Sequence, residues 1–219
     1  MCGRMTIATP QEQLEARFHA SAASAIEAHY NAYPNHDRYP LPVITTQEPD
    51  RITLRWWGMV PRWWTRDKRG LINIQYETLR DKKTFRKDLA ERRCLVLADG
   101  FYEWHGDKGH KTPYYIHLAS GEPFAFAGVY EDNMLAENPM ATFAIITTAP
   151  NELMASIHHR MPVILNRADE RHWLHPETSP EDALAMLEHP VSADVMEAYP
   201  VSTAVNRPVA DGAHLREPV

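Results

Sequence analysis

Cys2 follows Met1 in Met1-Cys2-Gly3-Arg4, and removal of that methionine would leave one residue carrying a free α-amine beside a thiol. An α-amine titrates near ~8, so a useful fraction is a neutral nucleophile at neutral pH. Such an amine attacks aldehydes, and the neighbouring thiol can close the resulting imine into a thiazolidine ring. Chain termini are ordinarily loosely ordered and chemically idle, so the remainder of the chain decides whether this chemistry is used. Three further segments hold groups suited to it. Glu103, in Ala98-Asp99-Gly100-Phe101-Tyr102-Glu103-Trp104, sits among aromatic residues in an expected strand, where alternation sends it to the face opposite Tyr102 and Trp104. On a pocket wall, desolvation would lift its pKa toward the range useful for proton transfer; on a solvent face it is a surface carboxylate. In Ser156-Ile157-His158-His159-Arg160-Met161-Pro162 a histidine is a proton carrier for neutral pH, and Arg160 suits a phosphate. Adjacent side chains in a strand or turn diverge, so only one of the two histidines is expected to serve. Asn73, in Leu71-Ile72-Asn73-Ile74-Gln75-Tyr76-Glu77-Thr78, places an amide in an apolar stretch, where it must find partners as a structural tie or as a group orienting a ligand.

The charge is segregated. Net charge is -6, yet residues 51–93 hold thirteen Lys or Arg against five Asp or Glu. One face can therefore grip phosphates while the acidic remainder faces solvent. Within that stretch, Trp56-Trp57-Gly58-Met59-Val60-Pro61-Arg62-Trp63-Trp64 offers a stacking platform for unpaired bases, with at least two of the tryptophans expected in the core. Taken alone, Arg80-Asp81-Lys82-Lys83 reads as a solvated helix face.

The elements that position these groups are mostly strands. Short apolar and aromatic runs at 52–57, 94–98, 101–105, 114–118, 124–130 and 142–148 are separated by turn formers such as Gly106-Asp107-Lys108-Gly109 and Ser120-Gly121-Glu122. Short links between successive strands imply antiparallel pairing. Helix signals are few. Thr9-Pro10-Gln11-Glu12 has a capping-box pattern opening a helix to about Phe18, and Ser179-Pro180-Glu181-Asp182 opens another that Pro190 stops. The expected fold is α+β, with a curved, barrel-like antiparallel β-sheet core and short peripheral helices. The 219 residues carry no repeat or linker, so they form one domain over 1–219. No apolar run reaches the ~20 residues of a membrane span, and no signal-peptide hydrophobic region follows Arg4, so a cytoplasmic location is expected, at the nucleoid if the phosphates it grips are those of DNA. Cys94, in an apolar run, reads as a buried thiol without a disulfide partner.

Taken in chain order, Met1-Cys2-Gly3-Arg4, Tyr30-Asn31-Ala32-Tyr33-Pro34, Trp57-Gly58-Met59-Val60-Pro61-Arg62-Trp63-Trp64, Leu71-Ile72-Asn73, Glu77-Thr78, Ala98-Asp99-Gly100-Phe101-Tyr102-Glu103-Trp104, Ile157-His158-His159-Arg160-Met161-Pro162 and Pro200-Val201-Ser202 resemble the SOS-response-associated peptidase (SRAP) family over nearly the whole chain. The resemblance implies a protein that recognises abasic sites in single-stranded DNA and crosslinks to the ring-opened deoxyribose aldehyde. Carried over by position, Cys2 is the nucleophile, Asn73 orients the amine and adduct, Glu103 is the general acid/base, and His158 assists sugar ring opening and imine chemistry. Arg4 and Arg160 contact phosphates, with Arg62, Trp63, Trp64 and Gln75 completing the DNA surface. The family commonly reads Asn-Ala-Arg where this chain has Asn73-Ile74-Gln75, so a neutral amide replaces a cationic phosphate contact. The resemblance also implies no metal or organic cofactor, and the protein is expected to act as a monomer.

Two other classes compete. A cysteine peptidase would use Cys2 and His158 as thiolate and base, acting on other proteins or only on its own N-terminal extension. A noncovalent single-strand binding module would use the basic, Trp-rich stretch alone. Metal binding ranks last, because the two cysteines lie too far apart for a zinc pattern.

Overall fold

The computed structural model describes residues 2–35, 38–61, 70–107, 109–133, 140–189 and 191–219. In chain order the elements are β1 (Met5–Ile7), α1 (Gln11–Phe18), β2 (Ser21–Ala22), β3 (His29–Ala32), β4 (Leu41–Thr45), β5 (Arg51–Trp57), β6 (Asn73–Gln75), α2 (Tyr76–Asp81), α3 (Arg86–Glu91), β7 (Arg93–Ala98), β8 (Gly100–His105), β9 (Thr112–Leu118), β10 (Phe124–Asn133), β11 (Met140–Thr148), α4 (Glu152–Ala155), β12 (Met161–Pro162), α5 (Arg167–Leu174), α6 (Pro180–Glu188) and β13 (Met196–Pro200). Short 3-10 turns, including Thr203–Asn206 and Ala213–Arg216, complete the C-terminal part.

The apolar runs become strands because each finds neighbours that pair with both of its edges. Every residue of β7 is buried, with β4 on one edge and β10 on the other. The order β5-β4-β7-β10-β11 returns to its start through pairing of β11 with β5, which closes a barrel. The fold is α+β, as expected, but one expectation about pairing fails. The closure (Thr142↔Trp56, Phe143↔Trp57) and the β6–β11 pairing are parallel. Links between β5, β6 and β11 are long enough for the chain to return in the same direction, which a hairpin cannot do.

A second sheet runs β13-β9-β8-β1-β3. Phe101 of β8 joins the main core, while Tyr102 packs with Tyr115, Val201, Val205 and Leu215 in a small second core under the C-terminal segment. Alternation along β8 therefore places Glu103 on the interior side with Phe101, and it is 3 % exposed.

The helix starts differ in mechanism. Ser179 caps α6 as expected, accepting from the Asp182 N–H at 3.0 Å. The capping box at Thr9 does not form; Asp99 instead receives Ala8 N at 2.7 Å and Thr9 N at 2.9 Å from the chain entering α1. Helices α2 to α5, of four to eight residues, are too short to be stable alone and exist through packing. Buried Arg93 ties two of them down, donating to Leu89 O (2.5 Å) and Ala90 O (2.8 Å) of α3, and to Trp173 O (2.7 Å) and His175 O (2.6 Å) at the end of α5.

Candidate active site at the N-terminal cysteine

Strand β1 lies between β3 and β8, with Met5 opposite Ala32 and Phe101. The Tyr102 N–H donates to Arg4 O at 3.0 Å, carrying the pairing one residue toward the N-terminus. Cys2 enters the interior fully buried. From the other sheet, β6 pairs with β11 (Asn73↔Ile145) and carries Asn73 to the same place. The Asn73 Nδ2 amide donates to the Cys2 carbonyl oxygen at 2.7 Å. Because that carbonyl can only accept, the amide orientation is fixed, and Oδ1 points elsewhere. Oδ1 is buried without a hydrogen-bond partner among the described residues. A buried acceptor in that state is costly to keep unless a ligand fills it.

Cys2 and His158 both lie within electrostatic reach of the Glu103 charge. Burial pushes the Cys2 thiol well above its ordinary pKa, and the charge of Glu103 pushes it further. The Cys2 Sγ lies 3.9 Å from Arg4 O. Burial lowers the pKa of His158 against the opposing pull of Glu103. His158 Nδ1 stands 3.1 Å from both the N–H and the carbonyl oxygen of Arg160. A ring with its proton on Nε2 alone accepts from the Arg160 N–H, while a ring carrying a proton on Nδ1 donates to the Arg160 carbonyl. The two histidine rings do not diverge as the sequence suggested. They stack at 4.3 Å and 27°, with His159 exposed.

The residues assigned to DNA are distributed otherwise. Arg160 forks onto Glu77 at 2.8 and 2.9 Å and donates to Thr147 O at 2.7 Å, leaving its side chain 12 % exposed. The hydrogen bonds to Arg160 hold the Glu77 carboxyl below its usual pKa. Arg4 is half-buried, donating to Asn31 Oδ1 and Val205 O, each at 2.6 Å, and packing over the Tyr33 ring. Gln75 is exposed at the end of β6. Trp57 is buried and donates from Nε1 to Ile72 O at 2.9 Å, and Trp56 is half-buried. Arg62, Trp63 and Trp64 lie outside the described residues. Among the described residues, no three His, Cys, Asp or Glu side chains gather as a metal site, and no helix is long and apolar enough to cross a membrane.

The chain matches the family described as SOS response associated peptidase (SRAP) over residues 1–208. It belongs to the SRAP family. It is 41% identical over 224 residues to the abasic site processing protein YoqW of Bacillus subtilis, covering 99% of each chain. It is 32% identical over 164 residues to YedK of Escherichia coli, also named an abasic site processing protein, covering 74% of this chain and 73% of the relative. A crystal structure of a protein from Bacteroides thetaiotaomicron superposes with a TM-score of 0.87 at 25% identity, covering 100% of both chains.

In this SRAP chain the structure adds three residues to the site's surroundings that motif reading passed over: Glu77, Thr147 and Asn31. Asn31 is 3 % exposed and receives Arg4 while donating from Nδ2 to Val205 O, Arg207 O and Ala210 O. Both Glu77 and Asn31 lie inside quoted motifs. What the sequence does not show is that their partners are the arginines reserved there for phosphates.

Proposed function

We propose that this protein recognises abasic sites in single-stranded DNA and captures the ring-opened sugar aldehyde covalently through Cys2, protecting the lesion. The observation that carries this reading is the Asn73 amide. One end holds the Cys2 main chain at 2.7 Å, and the other is a buried acceptor without a partner among the described residues. That arrangement orients the backbone end of Cys2, where the amine is freed by loss of Met1. The amine adds to C1′ of the aldehyde, a proton moves from nitrogen to the carbinolamine oxygen, and water leaves to give an imine. Sγ then adds to the imine carbon and its proton passes to nitrogen, closing the thiazolidine. Glu103 is the buried carboxylate that moves these protons, and His158, held largely neutral, assists ring opening. Because burial holds the thiol protonated, its addition to the imine needs a base to take the Sγ proton, which is the task assigned to Glu103.

A peptidase acting through a thiolate and an imidazolium would need the opposite shifts, a lowered thiol and a raised histidine. The Cys2 thiol is pushed up and His158 down. These directions disfavour a thiolate–imidazolium peptidase; removal of the chain's own N-terminal residue would have to run without that ion pair, and lyase turnover would run through the same imine. The active unit is one domain over 1–219, a monomer working in the cytoplasm at single-stranded DNA. Mass spectrometry of protein incubated with an abasic single-stranded oligonucleotide tests the proposal. The expected product lacks Met1 and gains the oligonucleotide with loss of one water. Absence of adduct, from protein with a verified free Cys2 amine and bound strand, would refute it.

A further inference from the structure

The fold sorts the cations of the basic stretch. Arg93 is spent on four carbonyls, Arg55 forms a bidentate pair with Asp132, and Arg92 pairs with Asp88. Beyond that stretch, Arg4 and Arg160 are likewise engaged within the protein. What remains open to solvent among the described residues of 70–93 is a short ridge formed by α2, the following 3-10 turn and α3. Arg80, Lys82, Lys83, Arg86 and Lys87 are all exposed there. The ridge's exposed acids are Asp81, 2.8 Å from Arg80, and Glu91, 3.8 Å from Lys87. Lys82, Lys83 and Arg86 form no ion pair among the described residues. The helix α2 begins at the residue after Gln75, so Arg80 lies about 7 Å along the helix axis from the end of the strand that carries Asn73.

We infer that this ridge is a second, sequence-independent contact for the phosphate backbone of the strand flanking the captured site. The inference rests on the proposed function for the identity of the strand. It supplies the charge that neither Gln75 nor the engaged Arg4 and Arg160 offers freely. Exposed, mutually close cations on short helices gain by displacing condensed counterions, and they do so without regard to base.

The test compares wild type with Lys82→Gln/Lys83→Gln/Arg86→Gln on an undamaged 25-nucleotide strand, a 25-nucleotide abasic strand and a five-nucleotide abasic strand, across a salt series. Three lost phosphate contacts should reduce the slope of log affinity against log salt by about 2, and should weaken binding of both long strands roughly 100-fold at 0.1 M salt. The short strand should bind as before, and the first-order rate of adduct formation at saturation should be unchanged. Arg167→Gln/Arg171→Gln, on α5, should leave the slope intact. A triple variant with the wild-type slope on long strands, or an α5 variant with an equal loss, overturns the ridge. Failure of wild type to form adduct would overturn the functional reading instead, while the slope on the undamaged strand would still judge the ridge.

Discussion

Replacing Asn73 separates the two jobs its amide can do. Asn73→Ala removes the 2.7 Å donor to Cys2 O. A neutral hydrogen bond of this kind is worth about 0.5–1.5 kcal/mol net, so if Asn73 acts only by holding the Cys2 main chain, adduct formation slows by about 2- to 12-fold. A larger loss assigns Oδ1 a direct contact with the reacting groups. Asn73→Asp keeps the shape but sets a carboxylate oxygen against the Cys2 carbonyl, close to a site already carrying the charge of Glu103. At neutral pH it should be slower than Asn73→Ala. A protonated Asp regains an O–H donor aimed at Cys2 O, so the ratio of Asp variant to wild type should climb as pH falls. Taking the ratio cancels the protonation of the α-amine, which slows both proteins alike. The assay is single-turnover conversion of an abasic oligonucleotide to its slower-migrating adduct on a denaturing gel. Wild-type rates for Asn73→Ala, or a ratio flat from pH 8 to 5, would refute the argument that this amide orients Cys2.

Cys2→Ser with Met1 removed should give only a reversible imine that needs borohydride to be trapped, and retention of Met1 should abolish even that; an irreversible adduct from the serine protein would contradict thiazolidine closure. Glu103→Gln should slow adduct formation by about 10²- to 10⁴-fold with noncovalent DNA affinity unchanged, and should lower the thiol pKa of Cys2 because a charge that raises it is gone; thiol alkylation against pH reads the second effect. Arg93→Met strands four carbonyls at two helix ends and should cost about 3–5 kcal/mol in urea unfolding, comparable to breaking a buried ionic contact. His29, stacked on Tyr39 at 4.1 Å, has a pKa lowered by burial. Between that value and the ordinary one of about 6.5, the unfolded chain takes a proton that the native chain refuses, so this contribution to stability is lost as pH falls. His29→Gln should flatten that part of the stability profile between pH 7 and 5, whatever its effect on stability at pH 7.

Much of the barrel was legible because its strands are long enough to show composition. The run at 124–130 became β10, and that at 142–148 became β11. Short strands such as Met5–Ile7 and Asn73–Gln75 exist because of what lies beside them, and no local pattern announces a three-residue strand. The parallel closure was hidden for the same reason, since strand direction at a barrel seam depends on the path of the intervening chain. Alternation in β8 did place Glu103 correctly, separating it from Tyr102. Charge was the least legible property. A sequence displays an arginine but not its partner, and Arg4, Arg93 and Arg160 are each committed to carbonyls, an amide or a carboxylate from distant parts of the chain.

Complete burial of Cys2 also sets an order of events during synthesis. An aminopeptidase working in trans needs the first peptide bond drawn out into its own cleft, and the folded protein keeps the second residue of that bond inside. The enclosure cannot form until Glu103 and the segment around His158 have been made. At roughly 5–20 residues per second, that interval is on the order of ten seconds, during which the terminus is open to processing. If the proposed function holds and another enzyme unmasks the amine, that step would belong to the nascent chain. A molecule that folds with its methionine in place would keep it, unless the site itself performs the cleavage.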